Sequence, residues 1–271
     1  MSPVPNILQQ IRTKKPLIHL ITNRVTINFV ANGLLAAGGS PMCAHHPEEV
    51  SEAAAHADAL VLNLGTLEPE IADGMILAGK TARASGVPVV LDPVGAGLSR
   101  LRAEALNRII QEVGPDAICG NAAEIGFLAG ERWAGKGVDG DVGGSVDQLA
   151  CRLAKQLQTT LIVTGKIDVI TNGEKLFHVE HGSEMMRKVT GTGCLATAMV
   201  GLFLAKSVAA SLPTADRAAA AMTMVGLCGE KAAKISRGPG SFQSAFLDQL
   251  YSLTDRELSS AEGLKQREVH I

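Results

Sequence analysis

Apolar residues in this chain gather into short unbroken runs set between longer stretches of helical period. Leu17–Ile21, Ala59–Leu64, Val87–Leu91, Asp116–Ile118 and Thr160–Val163 read as strands. They are rich in Val, Leu and Ile and do not alternate with polar residues, the pattern of strands buried on both faces. Between them the spacing predicts helices over Asn28–Ala37, Glu70–Ser85, Arg102–Val113, Ala122–Leu128 and Val146–Leu157. Strands alternating with helices give βαβ units and a mostly parallel sheet. After Thr164 the pattern changes. Asp168–Thr171 and Lys175–Val179 flank Asn172-Gly173, a strong two-residue hairpin signal. From Gly193 the chain reads as helical over Leu195–Lys206, Ala215–Ile235 and Gly240–Leu253.

No break in composition marks a second domain, so residues 1–271 are expected to form one α/β unit. Gly130–Gly144 reads as a glycine-rich surface loop, and Ser259–Ile271 as a polar tail that frays. The chain is 46% hydrophobic, enough for a sizeable core, and its net charge of −2 comes from interspersed acids and bases. No basic stripe suggests a nucleic acid and no acidic tail suggests a basic partner. The segment Met1–Lys15 is polar, without a signal peptide's apolar stretch, and the longest apolar run, Leu195–Ala205, is too short to span a bilayer. The five cysteines are widely spaced and form no CxxC pair, which points to a reducing, cytoplasmic setting without disulfides or zinc.

Strand after strand runs into a small or polar segment: Ile21-Thr22-Asn23, Asn63-Leu64-Gly65-Thr66, Asp92-Pro93-Val94-Gly95-Ala96-Gly97, Gly120-Asn121 and Thr164-Gly165. In a parallel sheet these segments share the carboxyl edge, where open α/β sheets bind ligands. Small residues that simply turn the chain account for one or two of them, and less well for the whole set with its Asp and two Asn.

Gly191-Thr192-Gly193-Cys194 precedes a long apolar helix. The glycines allow close backbone approach, and the first helix amides are unpaired with the positive end of the dipole behind them. That field is worth about 0.3–1 kcal/mol when exposed and about 2 kcal/mol when partly buried; several amides together in a dry site suit a phosphoryl group in transfer. Cys194 sits where a thiol pKa is lowered, so a thiolate could take an alcohol's proton; it reads equally well as a small buried hydrophobe. Asp92 is either a magnesium ligand beside phosphates or a turn aspartate. Asn121 and Glu124 fit either the same metal–phosphate assembly or a helix cap, and both readings can hold together.

Other matches carry less. Gly74–Thr81 satisfies the Walker A pattern but falls inside the expected crossover helix Glu70–Ser85, with a bulky apolar middle. Gly135-x-Gly137-x-x-Gly140 follows no strand, and the adjacent His45 and His46 suit a surface turn better than a metal site.

Together the segments resemble hydroxyethylthiazole kinases of the ribokinase-like superfamily, from about Pro16 to Leu253. The carriers are Ile21-Thr22-Asn23, Ala31-Asn32, Gly39-Ser40-Pro41, Asn63–Leu67, Leu91-Asp92-Pro93-Val94, Gly120–Ile125, Val163-Thr164-Gly165, Val189–Cys194 and Gly238–Phe242. The resemblance implies a three-layer α/β/α fold, ATP as co-substrate, Mg²⁺, a role in thiamine-precursor salvage, and a homotrimer with active sites at subunit interfaces. It implies Cys194 as the catalytic residue beside the substrate hydroxyl. Cys119, Asn121, Thr164 and Gly193 fall on the ATP side. Asn23, Met42, Cys43, Gly65, Thr66 and Gly191 fall on the thiazole side, and Asp92 and Glu124 at the metal. Two positions depart from the family pattern: Cys43 stands where the family usually has Met, with Met42 one place early, and Cys119 stands where it usually has Arg.

The expected reaction is in-line transfer of the ATP γ-phosphoryl to the alcohol of 5-(2-hydroxyethyl)-4-methylthiazole. The alternatives are a hydroxymethylpyrimidine or pyridoxal kinase of the same fold and a non-catalytic ligand-binding homologue. A phosphate-loop NTPase centred on Lys80 is the third.

Overall fold

Apolar strands without alternation require cover on both faces, and the sheet has it. The computed structural model describes residues 6–130 and 143–268. Its strands are β1 (Leu17–Ile21), β2 (Ser40–Met42), β3 (Ala59–Asn63), β4 (Val89–Asp92), β5 (Ala117–Asn121), β6 (Thr160–Thr164), β7 (Asp168–Thr171), β8 (Lys175–Val179) and β9 (Leu264–Glu268). They form one sheet in the order β2-β1-β3-β4-β5-β6-β7-β8-β9. Pairing is parallel from β2 to β6 and antiparallel from β6 to β9.

Helices cover the two faces in separate sets. On one face lie α1 (Ile7–Lys14), α2 (Ile27–Ala37), α8 (Thr192–Leu204), α9 (Thr214–Ile235), α10 (Pro239–Ser252) and α11 (Asp255–Ser259). On the other lie α3 (Val50–His56), α4 (Pro69–Ala84), α5 (Arg100–Glu112), α6 (Ala122–Leu128) and α7 (Gly143–Leu157). Successive strand residues feed opposite cores: Ala59 and Val61 of β3 join the first, Leu60 and Leu62 the second. This is the expected three-layer α/β/α arrangement. Among the described residues no helix is long and apolar enough to cross a membrane.

At the centre of the first face lies α8, apolar all round and buried from Leu195 to Leu204, as a helix enclosed on every side must be. Its backbone comes close to the sheet at Gly201, where an added Cβ would lie 2.5 Å from Cγ2 of Val61. The chain after the hairpin passes through a short 3₁₀ turn, Glu184–Lys188, before entering α8.

Several expectations need correction. The polar amino-terminal segment contains α1, an amphipathic helix that buries Ile7, Leu8 and Ile11. Its first amides, at Leu8 and Gln9, are capped by the Asp255 carboxylate. The segment after 259 does not fray as a whole: Leu264–Glu268 forms β9 and pairs with β8. The hairpin loop has three residues, with Oδ1 of Asn172 accepting from the amides of Glu174 and Lys175. Gly143 and Gly144 lie in α7; the Gly135–Gly140 spacing lies outside the described residues. The Walker-like segment is helix α4 throughout, and Lys80 pairs with Glu112 at 2.5 Å, which removes the phosphate-loop reading. His45 and His46 are exposed after β2, as expected of a turn.

Gly201→Val should therefore drive β-branched bulk against Val61 and cost about 1–3 kcal/mol. Urea unfolding should show a lower midpoint with an unchanged slope.

Candidate functional site

The chain leaves β1 for β2 on one side and then crosses to β3 on the other. Such a reversal opens a crevice at the carboxyl ends of the two diverging strands. Asn23 follows β1 and Asn63 ends β3, and they meet there: Nδ2 of Asn23 donates to Oδ1 of Asn63 at 3.1 Å. Oδ1 of Asn23 accepts from both the amide and the hydroxyl of Thr26, at 3.0 Å each. Oδ1 of Asn63 also accepts the Gly65 amide at 2.9 Å. Gly65 is packed so tightly that an added Cβ would sit 2.7 Å from Cβ of Asn23. Thr66 takes a positive φ of 46° and its hydroxyl accepts the Arg24 amide.

From Asn63 the network continues to Asp92 at the end of β4. Nδ2 of Asn63 donates to Oδ2 of Asp92 at 2.7 Å, and the Thr197 hydroxyl of α8 donates to the same oxygen at 3.0 Å. Both donors fall on Oδ2, leaving Oδ1 outside this network. At the near end, Nδ2 of Asn23 reaches Sγ of Cys194 at 3.3 Å. Cys194, Asn23, Asn63, Asp92 and Thr197 thus form one connected chain of polar contacts linking the start of α8 to β1, β3 and β4.

Gly191 caps α8 with φ 92°, and an added Cβ there would meet Thr26 at 2.8 Å, so only glycine fits. The first intrahelical bond runs from the Leu195 amide to Gly191. The amides of Thr192, Gly193 and Cys194 are the orphan donors of a helix start. Gly193 is exposed, with open space where its Cβ would be. These amides form an anion cradle beside Asp92.

Asp92 is 5% exposed. Burial first, then the neighbouring charge of Glu124, pushes its pKa up to about 8, against the pull of its two hydrogen bonds. Glu124 closes a capping box with Asn121, its Oε2 accepting the Asn121 amide at 2.9 Å. Its Oε1 accepts the Gly95 amide at 2.9 Å, so one carboxylate ties the loops after β4 and β5 together. Asn121 and Thr164 are register partners at the ends of β5 and β6. Asp168, whose pKa burial lifts to about 7, accepts the Gly165 amide and holds that loop.

Not every expected residue arrives in the expected role. Burial, and then Asp92, push the Cys194 thiol up, so the helix terminus does not produce a standing thiolate at neutral pH. Cys119 is 2% exposed, because the phase of β5 turns its side chain into the core against the α8 layer. Met42 and Cys43 lie at the carboxyl end of edge strand β2, half-buried and exposed respectively. No hydrogen bond among the described residues joins them to the Asn23–Asp92 chain. Thr197, Thr26 and Asp168 were missed by the sequence reading. A lone hydroxyl in the apolar run Leu195–Phe203 was the available signal for Thr197.

An Asp whose folded pKa lies above its unfolded value keeps a proton that the unfolded chain has released. Its contribution to stability is full below the unfolded value and falls as pH rises towards about 8. Asp92→Asn keeps a carbonyl acceptor for Asn63 and Thr197 without that penalty. Thermal unfolding of the ligand-free variant should show a midpoint several degrees above wild type at pH ~8, the gap closing towards pH ~4. An equal midpoint at both ends would mean that Asp92 is not desolvated.

The sequence model of the hydroxyethylthiazole kinase family matches residues 8–256. The hydroxyethylthiazole kinase structure from Pyrococcus horikoshii superposes with a TM-score of 0.88 at 35% identity, covering 100% of both chains. A ribokinase-like superfamily protein from Enterococcus faecalis aligns with a TM-score of 0.63 at 13% identity, over 92% of this chain and 90% of that one. The Staphylococcus aureus pyridoxal kinase, in complex with AMP-PCP and pyridoxal, aligns with a TM-score of 0.61 at 14% identity, over 94% and 99%. The last two likenesses speak to the fold.

Proposed function

This chain belongs to the hydroxyethylthiazole kinase family, and we propose from its site geometry how it moves a phosphoryl group from ATP to the hydroxyl of hydroxyethylthiazole. It is a phosphotransferase of thiamine-precursor salvage. The observation that carries the residue assignment is the Thr197–Asp92 contact of 3.0 Å, because it holds the amide cradle of α8 and a buried carboxylate to one pocket.

Phosphoryl transfer asks the protein mainly for alignment and charge stabilisation. In this reading the thiazole alcohol lies in the β1–β3 crevice against Asn23, Gly65 and Thr66. Met42 and Cys43 border it from β2, and Gly191 lies at the hydroxyethyl arm. The Thr192–Cys194 amides, with Gly193 bare, receive the transferring phosphoryl. Asn121 and Thr164, side by side at the sheet edge, border the nucleotide. Asn23 holds Cys194 in place, and its thiol orients the substrate hydroxyl as a hydrogen-bond partner; a loose transition state asks little of a base.

The carboxylates fit Mg²⁺, which takes one or two protein carboxylates plus phosphate oxygens instead of a full protein cage. Among the described residues no cluster of three or more acidic, His or Cys ligands exists, and Asp92 carries mutual repulsion with Glu124. Asp92 would hold the ion directly, and Glu124 would add its charge from the loop junction. When bound, the ion neutralises charge on the phosphates. Asp92 and Glu124 otherwise act by fixing the loops that frame the pocket.

The homotrimer with sites at subunit interfaces belongs to the same proposal. Exposed Val25, beside Asn23, and exposed Leu35 on α2 give apolar surface near the crevice. Light scattering should return three times the 28.2 kDa chain mass; a monomeric mass would remove this part. The free state of all five cysteines suits a cytoplasmic setting.

Activity tests the rest. ATP-dependent ADP release should proceed over many turnovers with the thiazole alcohol, and far more slowly with hydroxymethylpyrimidine or pyridoxal. Binding without turnover would favour the non-catalytic reading, for which Cys119 and Cys43 are the supporting features. Cys194→Ala should lower kcat by about 10²-fold, the scale of lost alignment, with the circular dichroism spectrum kept. A variant with wild-type kcat would take Cys194 out of the reaction.

A further inference from the structure

A second polar site lies at the opposite, amino edge of the sheet. There a cavity of about 250 Å³ is lined by Arg83, Pro88, Asp116, Leu204, Lys206 and Arg217, among others. Pro88 and Asp116 precede β4 and β5, and Leu204 ends α8. Asp92 ends β4, so the length of that strand separates this cavity from the phosphoryl-transfer pocket.

Arg217 is the unusual member. It stands in the first turn of α9, the positive end of the helix dipole, where a cation is unfavourable. It is 8% exposed. Nη1 donates to the carbonyls of Leu204 and Val208 at 3.2 and 3.1 Å, while Nε is enclosed and has no hydrogen-bond partner among the described residues. Among the described residues no carboxylate forms an ion pair with it. Asp116 attracts it at a distance, but both Asp116 oxygens are committed elsewhere, to Arg83 at 2.7 Å and to the Val89 amide at 2.8 Å. A buried charge is normally paired, and a guanidinium does not escape by losing its proton. Lys206 adds an exposed ammonium with no ion pair among the described residues.

Three cations against one carboxylate leave the cavity with a formal charge of two. A phosphate monoester carries about −1.5 to −2 at neutral pH. Guanidinium and ammonium groups form charge-assisted hydrogen bonds to its oxygens. We propose that this amino-edge cavity binds a tetrahedral oxyanion of the phosphate class, with Arg217, Arg83 and Lys206 as its cationic walls. The shared chemistry is the phosphate group; its source is free inorganic phosphate or a small phosphate monoester. The proposal does not depend on the kinase assignment, because none of its residues belongs to the carboxyl edge.

Calorimetric titration with inorganic phosphate, and separately with glycerol 3-phosphate, should show binding absent from a chloride control of equal ionic strength. Lys206→Glu and Arg217→Gln should each weaken it about tenfold or more. Lys206 is exposed and makes no side-chain bond among the described residues, so its variant decides the matter if Arg217→Gln fails to fold. Tighter binding of the monoester identifies an organic phosphate as the ligand, and equal binding identifies phosphate itself. Wild-type binding no better than chloride, or unchanged affinity in Lys206→Glu, overturns the proposal.

Discussion

A single buried carboxylate sets the geometry of this protein's working edge. Asp92 sits where little water reaches it and is steadied by the Asn63 side-chain amide from β3 and a hydroxyl from α8. An unpaired buried carboxylate is expensive, so these donors are not interchangeable surface contacts. Their consequence is positional. Because Thr197 is on α8, the helix that presents the anion cradle cannot slide or rotate without stripping a donor from Asp92. Because Asn63 also holds Asn23 and the Gly65 amide, the substrate side is locked to the same point.

The sheet makes this possible. Its order places β1 beside β3 and β3 beside β4, so three strands end within reach of one helix start. The two faces are closed by separate helical layers, which explains why the strands read as continuous apolar runs. It also explains why α8 can be apolar all round: it packs on β3 and β4 and is flanked by α2 and α9, which touch the sheet themselves. The family assignment rests on the whole chain, and the site geometry on the contacts at the carboxyl edge.

The strands β1, β3, β7 and β8 were legible nearly residue for residue, because burial on two faces leaves a strong pattern. The polar strand ends were legible too, and Asn23, Asn63 and Asp92 meet at one edge of the sheet. Shorter elements were not legible. Edge strand β2 has three residues, and β9 is mostly polar because an edge strand packs little; besides the ladder with β8 it has only Leu264 at the core's margin and the Lys265–Glu180 pair among the described contacts. Helix α1 was overlooked because three buried residues in a polar stretch look like chance until Asp255 and the α10 carbonyls are seen to hold them. The electrostatics of Cys194 was misjudged for a different reason. Local sequence reveals a helix start, but not the desolvation and the distant carboxylate that outweigh it. The fate of Cys119 turned on strand phase, which decides whether a side chain meets solvent or the core. Glu124 is a capping residue, one of the two roles that its spacing from Asn121 allowed.

The polar chain around Asp92 joins residues far apart along the polypeptide: Asn23 and Cys194 are 171 positions apart, Asp92 and Thr197 105. Closing such loops costs entropy before any contact repays it, and topologies rich in distant contacts assemble slowly. A newly made chain can therefore lay down β1, β3 and β4 with their helices well before α8 emerges to dock on them. For that interval it has a sheet with an open groove and no catalytic centre. Docking of α8 is then the step that completes the edge, after the secondary structure of the earlier strands and helices is in place.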